Sequence, residues 1–242
     1  MKNRPIIIVG GEPYGIFFEI FFKSKKKINL RRPVILIASE KLILLQMKKL
    51  GYNFKINTID KSKINFNLLD KDKINLINVD FRFNKIFDKI SSKSNSYINQ
   101  SFEIALKILK EKKCAGLING PVSKKDFLKG KYLGITEFLA NKTNSEDSFA
   151  MLIYNKKISV SPITTHLPLK VVHKFISKKK IINKVKIIVK FYKKYFMKIP
   201  KIAVTGLNPH CESNFKSSEE KTSIKPAIKL LLRNGYDVKG PF

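Results

Sequence analysis

Two of the chain's three histidines stand in short motifs beside prolines. His166 lies in Thr164-Thr165-His166-Leu167-Pro168-Leu169, and His210 in Gly206-Leu207-Asn208-Pro209-His210-Cys211-Glu212. Neutral imidazole is a good ligand near pH 7, and two imidazoles at neighbouring strand ends can share a zinc or another divalent ion. Cys211 and Glu212 adjoin His210 and can add ligands or orient it. Taken singly, either histidine reads equally well as a polar loop residue. His173 reads as a surface or capping residue. Cys114 reads as a small core side chain. Two cysteines make neither a disulfide framework nor a four-thiolate zinc site. No Cys-x-x-Cys and no Ser-His-Asp arrangement is present.

Two glycine motifs complete the candidates. Gly10-Gly11-Glu12-Pro13-Tyr14-Gly15 can bring backbone close to an anion, but its spacing is not G-x-G-x-x-G. No Lys-Ser/Thr follows as a P-loop requires, so a structural tight turn is the stronger reading. In Asn119-Gly120-Pro121-Val122-Ser123-Lys124, Gly-Pro makes a rigid turn and Ser123 can cap a helix. Lys124 there can hold a phosphate, although one lysine in this lysine-rich chain means little.

These motifs need elements to position them. Apolar runs predict strands at Pro5–Val9, Pro33–Ala38, Ile74–Val79, Ala115–Ile118 and Lys201–Thr205. Phe149–Tyr154 and Ile158–Ile163 read as two strands of a hairpin turning at Asn155-Lys156-Lys157. Helices are predicted from Ser39 to about Leu50, with Gly51 as the stop, and over Tyr97–Lys112, where apolar residues recur every three or four positions. Two more run over Ser177–Phe196 and from Ser218 to Asn234, with Pro226 marking a late first turn or a kink. Phe81–Ser96 reads as a loop or hinge. Strands alternating with helices imply an α/β fold around a mixed, mostly parallel sheet. In such sheets ligands lie beyond the carboxyl ends of the strands, where all four motifs fall.

The 242 residues allow one large or two small domains, and 43% hydrophobic content supports a sizeable core. The longest apolar runs are far short of the roughly 20 residues a bilayer span takes, and Ile6–Val9 is too short for a signal-peptide core. A soluble, cytoplasmic protein is the expectation. Lys+Arg number 49 against 18 Asp+Glu, a formal net charge of +31. Such a surplus raises the question of a nucleic-acid partner. Only five of the cations are arginine, the usual reader of bases and phosphates, and the 44 lysines are spread along the chain. Lysine, isoleucine and asparagine are inflated together, as A/T-rich codon usage would produce. A solvated lysine surface is therefore expected rather than a nucleic-acid interface.

Taken in order, the motifs resemble the 4-hydroxythreonine-4-phosphate dehydrogenase family of vitamin B6 biosynthesis. The resemblance rests on G-E-P-x-G-I with Glu19, N-G-P-V-S-K, G-I-T-E-F-L-A at Gly134–Ala140, M-L-I-Y at Met151–Tyr154, T-T-H-L-P-L, G-L-N-P-H and the final G-P-F. It implies an isocitrate/isopropylmalate dehydrogenase-like fold of two α/β lobes, here 1–120 and 121–242, working as a homodimer with its active site near the subunit interface. It implies His166 and His210 as metal ligands for Zn, Mg or Co, and Thr136 as a substrate contact. It implies NAD(P)-linked oxidation of 4-phosphooxy-L-threonine to a β-keto acid that loses CO₂ to give 3-amino-2-oxopropyl phosphate. The sequence departs from the family pattern at Ile135, where a substrate-contacting histidine is usual. It departs also at Glu12 for Asp, Phe17-Phe18 for Gly-Pro, and Cys211 for a small residue. Family members continue past Gly240-Pro241-Phe242 into a segment with a third metal histidine. The resemblance thus implies a C-terminally truncated copy with little activity as it stands. A relative acting on another hydroxy acid and a basic nucleic-acid-binding protein are the rival expectations.

Overall fold

The computed structural model describes residues 4–28, 32–146, 148–211 and 217–242. Glu212, singled out beside His210, lies outside the described residues. The chain divides into two compact units, Met1–Tyr132 and Leu133–Phe242.

Unit 1 alternates strands and helices: β1 (Ile6–Val9), α1 (Phe17–Lys27), β2 (Val34–Ala38), α2 (Glu40–Lys49), β3 (Ile56–Thr58), β4 (Ile74–Asn78), α3 (Asn95–Lys110) and β5 (Gly116–Asn119). The strands form one sheet in the order β3-β4-β2-β1-β5, and every pairing is parallel. A parallel sheet is covered on both faces, which is why its strands are continuous apolar runs such as Ile6–Val9. Ile8, Leu36, Ala38 and Leu76 face a cluster of Phe17, Phe18, Phe22, Ile43 and Met47 from α1 and α2. The alternate residues Ile7, Val9, Ile35 and Ile37 are buried too, and α3 packs on β1 and β2 with Ile98, Phe102 and Ala105 buried. Full burial of a side chain such as Phe22 stabilises by about 1.5–3 kcal/mol.

One polar residue sits inside this sheet without penalty. Asn75 of β4 is fully buried, yet its amide donates to the carbonyls of Val34 and Asp70 at 3.0 and 2.7 Å. Its oxygen accepts from Asn57 Nδ2 and Asp70 N–H, both at 2.9 Å, so no polar atom is left over.

The segment read as a loop or hinge, 81–96, carries only a single 3₁₀ turn before α3 begins. It is pinned: Gln46 Nε2 donates to Ile86 C=O at 2.9 Å, and Phe81 packs against Tyr14 and Tyr97. The unit does not end at 120 as expected. Residues 121–132 continue it through a π-helical turn, Lys124–Leu128, capped by Ser123, whose Oγ accepts from Asp126 N–H at 3.0 Å. Phe127 and Leu128 of that turn are buried, and Phe127 stacks on Phe102.

Unit 2 contains α4 (Ile135–Lys142), α5 (Leu169–Val172), α6 (Lys178–Phe196), β6 (Ile202–Ala203), α7 (Lys225–Arg233) and β7 (Val238–Lys239). Its core packs Ile181, Ile182, Val185 and Val189 of α6 with Ala227, Ile228 and Leu231 of α7 and Val238 of β7. Ser177 caps α6, its Oγ accepting from Lys180 N–H at 3.3 Å. The helix expected from Ser218 opens with a π-helical turn, Glu220–Ile224, that runs directly into α7, and Pro226 stands at that junction, in the first turn of α7. β6 and β7 pair in parallel, and Gly206 N–H continues the pairing to Phe242 C=O at 2.9 Å.

The expected hairpin is much reduced. Its two strands shrink to one antiparallel bridge between Ile153 and Val160, with mutual N–H to C=O bonds of 2.8 and 3.0 Å. The turn forms as read, with Asn155 Oδ1 accepting from Lys157 N–H. Ile153, Ile158 and Val160 remain more than half exposed, and the segment's contacts with α6 are few: Tyr154 stacks on Phe196 and Ser159 accepts from the Tyr192 hydroxyl. Among the described residues no helix is long and apolar enough to cross a membrane.

The carboxyl ends of β1 and β5 meet at glycine. Gly11 has φ +71°, and a Cβ there would stand 2.5 Å from Pro121 C=O, while a Cβ on Gly120 would overlap Gly10 C=O. Glu12 N–H donates to that Pro121 carbonyl at 2.9 Å. Both glycine motifs thus serve one close backbone contact. Gly11→Ala is expected to destabilise unit 1 by about 2–4 kcal/mol, through strained φ and a backbone clash together, as read by chemical denaturation.

Candidate active site

The residues expected to do chemistry collect on loops of unit 2, each fastened by a carboxylate. α4 begins at Gly134, which is buried and extended. Glu137, in the first turn, reaches back, so that a Cβ on Gly134 would lie 3.1 Å from its Oε2. The same point is 3.6 Å from both Cδ2 and Nε2 of His166. Glu137 Oε1 accepts the Thr165 hydroxyl at 2.7 Å, while Oε2 is buried with no hydrogen-bond partner. The structure therefore brings G-I-T-E together with T-T-H, and glycine at 134 is what lets them approach. His166 itself is exposed and left-handed at φ +56°.

Thr136 and Ile135 occupy the opening of α4 and are half-buried. The first N–H groups of a helix have no intrahelical acceptor, and the Thr136 hydroxyl bonds to no described residue. This end can therefore receive an anion, and Ile135 adds only apolar surface to it.

The second histidine loop is built differently. Leu207 and Asn208 N–H donate to Glu220 Oε1 at 2.9 and 3.0 Å, and Glu220 is only 2% exposed. Burial pushes its carboxyl up, but the backbone N–H donors, with Lys225 nearby, outweigh that and hold it below the usual value. Asn208 Oδ1 in turn accepts from His210 N–H at 2.9 Å. Cys211 is left-handed and half-buried, and its Sγ would stand 2.6 Å from a Cβ on Gly206, so the thiol packs on that glycine. His173 is exposed, its carbonyl accepting from Ile176 N–H, in keeping with a surface role.

His166 does not follow a sheet strand, as expected; the segment before it is irregular, so parallel strand ends do not align the two histidines. Both imidazoles are exposed, and among the described residues no group of three or more His, Cys, Asp or Glu is placed to hold a metal ion. The described residues do not by themselves make a metal centre. The strand-one glycine turn offers no pyrophosphate cradle either, since Gly120 and Pro121 fill it.

In unit 1 the motif residue Glu12 is 2% exposed. Ser94 Oγ donates to its Oε1 at 2.8 Å, and Oε2 is left without a partner. Burial pushes this carboxyl up, the Ser94 bond opposes, and the Asp126 charge adds to the rise.

The wholly parallel sheet of unit 1, with helices on both of its faces, makes this an α/β protein. The crystal structure of a 4-hydroxythreonine-4-phosphate dehydrogenase from Burkholderia phymatum matches with a TM-score of 0.82 at 25% identity, over 99% of this chain and 74% of that one. Residues 29–242 match the family model of the pyridoxal phosphate biosynthetic protein PdxA, and the chain belongs to that family. It is 36% identical to the 4-hydroxythreonine-4-phosphate dehydrogenase of Sulfurihydrogenibium sp. over 247 residues, 98% of this chain and 73% of the relative. Clostridium botulinum relatives with the provisional name D-threonate 4-phosphate dehydrogenase are 30% identical, over 100% of this chain and 74% of theirs. The protein is accordingly an oxidoreductase.

Sequence reasoning placed Glu137 in G-I-T-E and Glu220 at a helix opening but missed both as fasteners. The available signal was an acidic residue at a helix start, scarce in a chain with 18 acids against 49 bases. Glu220→Gln is expected to cost about 2 kcal/mol near neutral pH, since charge-assisted bonds to two N–H groups weaken. A carboxyl held low in the folded state stabilises above its unfolded pKa and loses that effect as pH falls through its folded one. The stability gap to wild type should therefore close as pH drops below about 4.5, measured by thermal unfolding across pH.

Proposed function

We propose that the chain catalyses NAD(P)-linked oxidation of 4-phosphooxy-L-threonine to 2-amino-3-oxo-4-phosphooxybutanoate, which loses CO₂ to give 3-amino-2-oxopropyl phosphate, a cytoplasmic step of vitamin B6 synthesis. The observation that carries the reading is the free amino end of α4, with an unoccupied Thr136 hydroxyl, set against the Thr165-His166 loop in a member of this family. Similarity to the Sulfurihydrogenibium enzyme supports the same substrate.

The α4 end supplies N–H donors and the Thr136 hydroxyl to the substrate phosphate. Glu137 keeps Thr165, and with it the backbone carrying His166, beside that end. Its free Oε2 is an acceptor beside the imidazole. A bound nicotinamide would supply the acceptor for the hydride on the secondary alcohol carbon. In the reading that the resemblance supports, His166 and His210 are offered to a divalent ion whose remaining ligands are not among the described residues.

A second reading is oxidation of a phosphorylated hydroxy acid without the amino group. The Clostridium relatives and Ile135, which cannot donate a hydrogen bond, favour it. Nicotinamide reduction by the protein expressed from its complete reading frame separates the two. Turnover of 4-phosphooxy-L-threonine is expected, exceeding that of D-threonate 4-phosphate, and the reverse order would establish the second reading. No turnover of either, with zinc, magnesium or cobalt added, would sink both. Ile135→His is expected to lower KM for the phosphorylated substrate several-fold with little change in kcat, as an added donor to a bound anion should.

The protein is further proposed to work as a homodimer with the active site near the subunit interface. Support comes from the bare apolar residues Ile153, Ile158 and Val160, which a second copy would cover. Sedimentation of the wild-type protein should give a dimer mass, and Ile158→Lys should shift it toward monomer.

A further inference from the structure

Unit 2 holds a cleft of about 360 Å³ whose lining shares only Thr165 with the residues given a part in the proposed reaction. Part of its lining is apolar: Phe149, Met151 and Ile163. The rest comes largely from the start of α6, including Lys179, Lys180 and Lys184. Thr165, whose hydroxyl donates to Glu137, also lines it.

Most of the chain's lysines stand in water and need no partner. Lys184 differs. It is half-buried, its Nζ lies 5.4 Å from the centre of the Phe149 ring, and no described carboxylate pairs with it. Burial, together with the neighbouring Lys180 charge, pushes its ammonium below the usual lysine value, against the pull of Glu137. The acidic residue of the lining, Glu146, is exposed and accepts from Asn141 Nδ2 at 2.8 Å. α6 opens with Lys178, Lys179 and Lys180 and no acidic residue in its first turn; Lys179 and Lys180 line the cleft with Lys184, and Lys180 Nζ lies 4.9 Å from the centre of the Phe175 ring. Cations held together at the cost of hydration and mutual repulsion favour an anion between them. The volume suits one small molecule and not a polymer.

We propose that this cleft binds a small phosphate monoester, its phosphate on Lys180 and Lys184 and its carbon body against Phe149 and Met151. The cleft adjoins α4 through Thr165 and its bond to Glu137, but Thr136 is not part of its lining, and the proposal does not depend on the dehydrogenase reading.

The test is a titration of ¹³C-methyl-methionine-labelled protein with glycerol 3-phosphate at physiological ionic strength, with glycerol as the neutral control. The Met151 methyl should shift saturably while Met47, in the core of unit 1, stays put. Lys184→Gln should raise the Kd at least tenfold. Thr136→Val and the paired surface change Lys61→Gln/Lys63→Gln should leave it unchanged. Lys180→Gln is the alternative should Lys184→Gln fail to fold by thermal unfolding. A flat Met151 response, an equal response to glycerol, or an unaltered Kd in both cleft variants would overturn the proposal. Loss of the response in Thr136→Val would overturn it too, by showing a single site at α4.

Discussion

The structure depends on a few carboxylates that accept hydrogen bonds from distant loops. Glu12 ties the first strand end to Ser94, Glu137 ties α4 to Thr165, and Glu220 ties α7's lead-in to Leu207 and Asn208. Each joins segments that the sheet and helix ladders leave loose. A buried carboxylate is costly unless it is bonded, so such residues hold their loops in one place. In Glu220 the bonds outweigh the burial and the group is held ionised. In Glu12 burial prevails and one oxygen has no partner, so that residue carries a cost the sheet's packing must offset. The difference is one of donors: Glu220 receives two backbone N–H groups and Glu12 a single hydroxyl.

How much of this was legible in the sequence varied with how much apolar pattern each element needed. β1, β2 and β4 are buried on two faces, so unbroken runs such as Val34–Ala38 announced them; β5, an edge strand with Ile118 half exposed, was read from its short apolar run alone. α3 was equally plain from its spacing. α1 was not read, although Phe17, Phe18, Phe21 and Phe22 already repeat at helical spacing; its opening lacks a capping side chain, which removed the usual start signal. β3 and β7 have three and two residues, too few for any period to show. The hairpin failed in the other direction. Its residues have strand character, but a strand needs a packed face, and periodicity cannot say whether one is present.

The site shows the same division. The motif residues were legible one by one, and so was their membership of a family, because order along the chain is a property of sequence. Their fastening was not. Nothing in the spacing of Glu137 and Thr165 announces a 2.7 Å bond across 28 residues. The geometry also corrected a reason without discarding the residue. His166 was expected at the end of a parallel strand, yet it stands on an irregular segment brought to α4 by a side-chain carboxylate and a glycine.

The charge of +31 can be weighed against this background. A lysine in water is nearly free of consequence, so the count alone says little about partners. Place decides its meaning. Lys23, exposed and paired with Glu19, is a surface contact worth little. Lys184 has given up part of its water and gained no described acid, and the fold keeps it beside Lys180. Composition could drift toward lysine at every exposed position without changing the structure. It could not place an unpaired ammonium half inside a cleft without a standing cost, and that cost is what makes a single lysine more informative than the surplus.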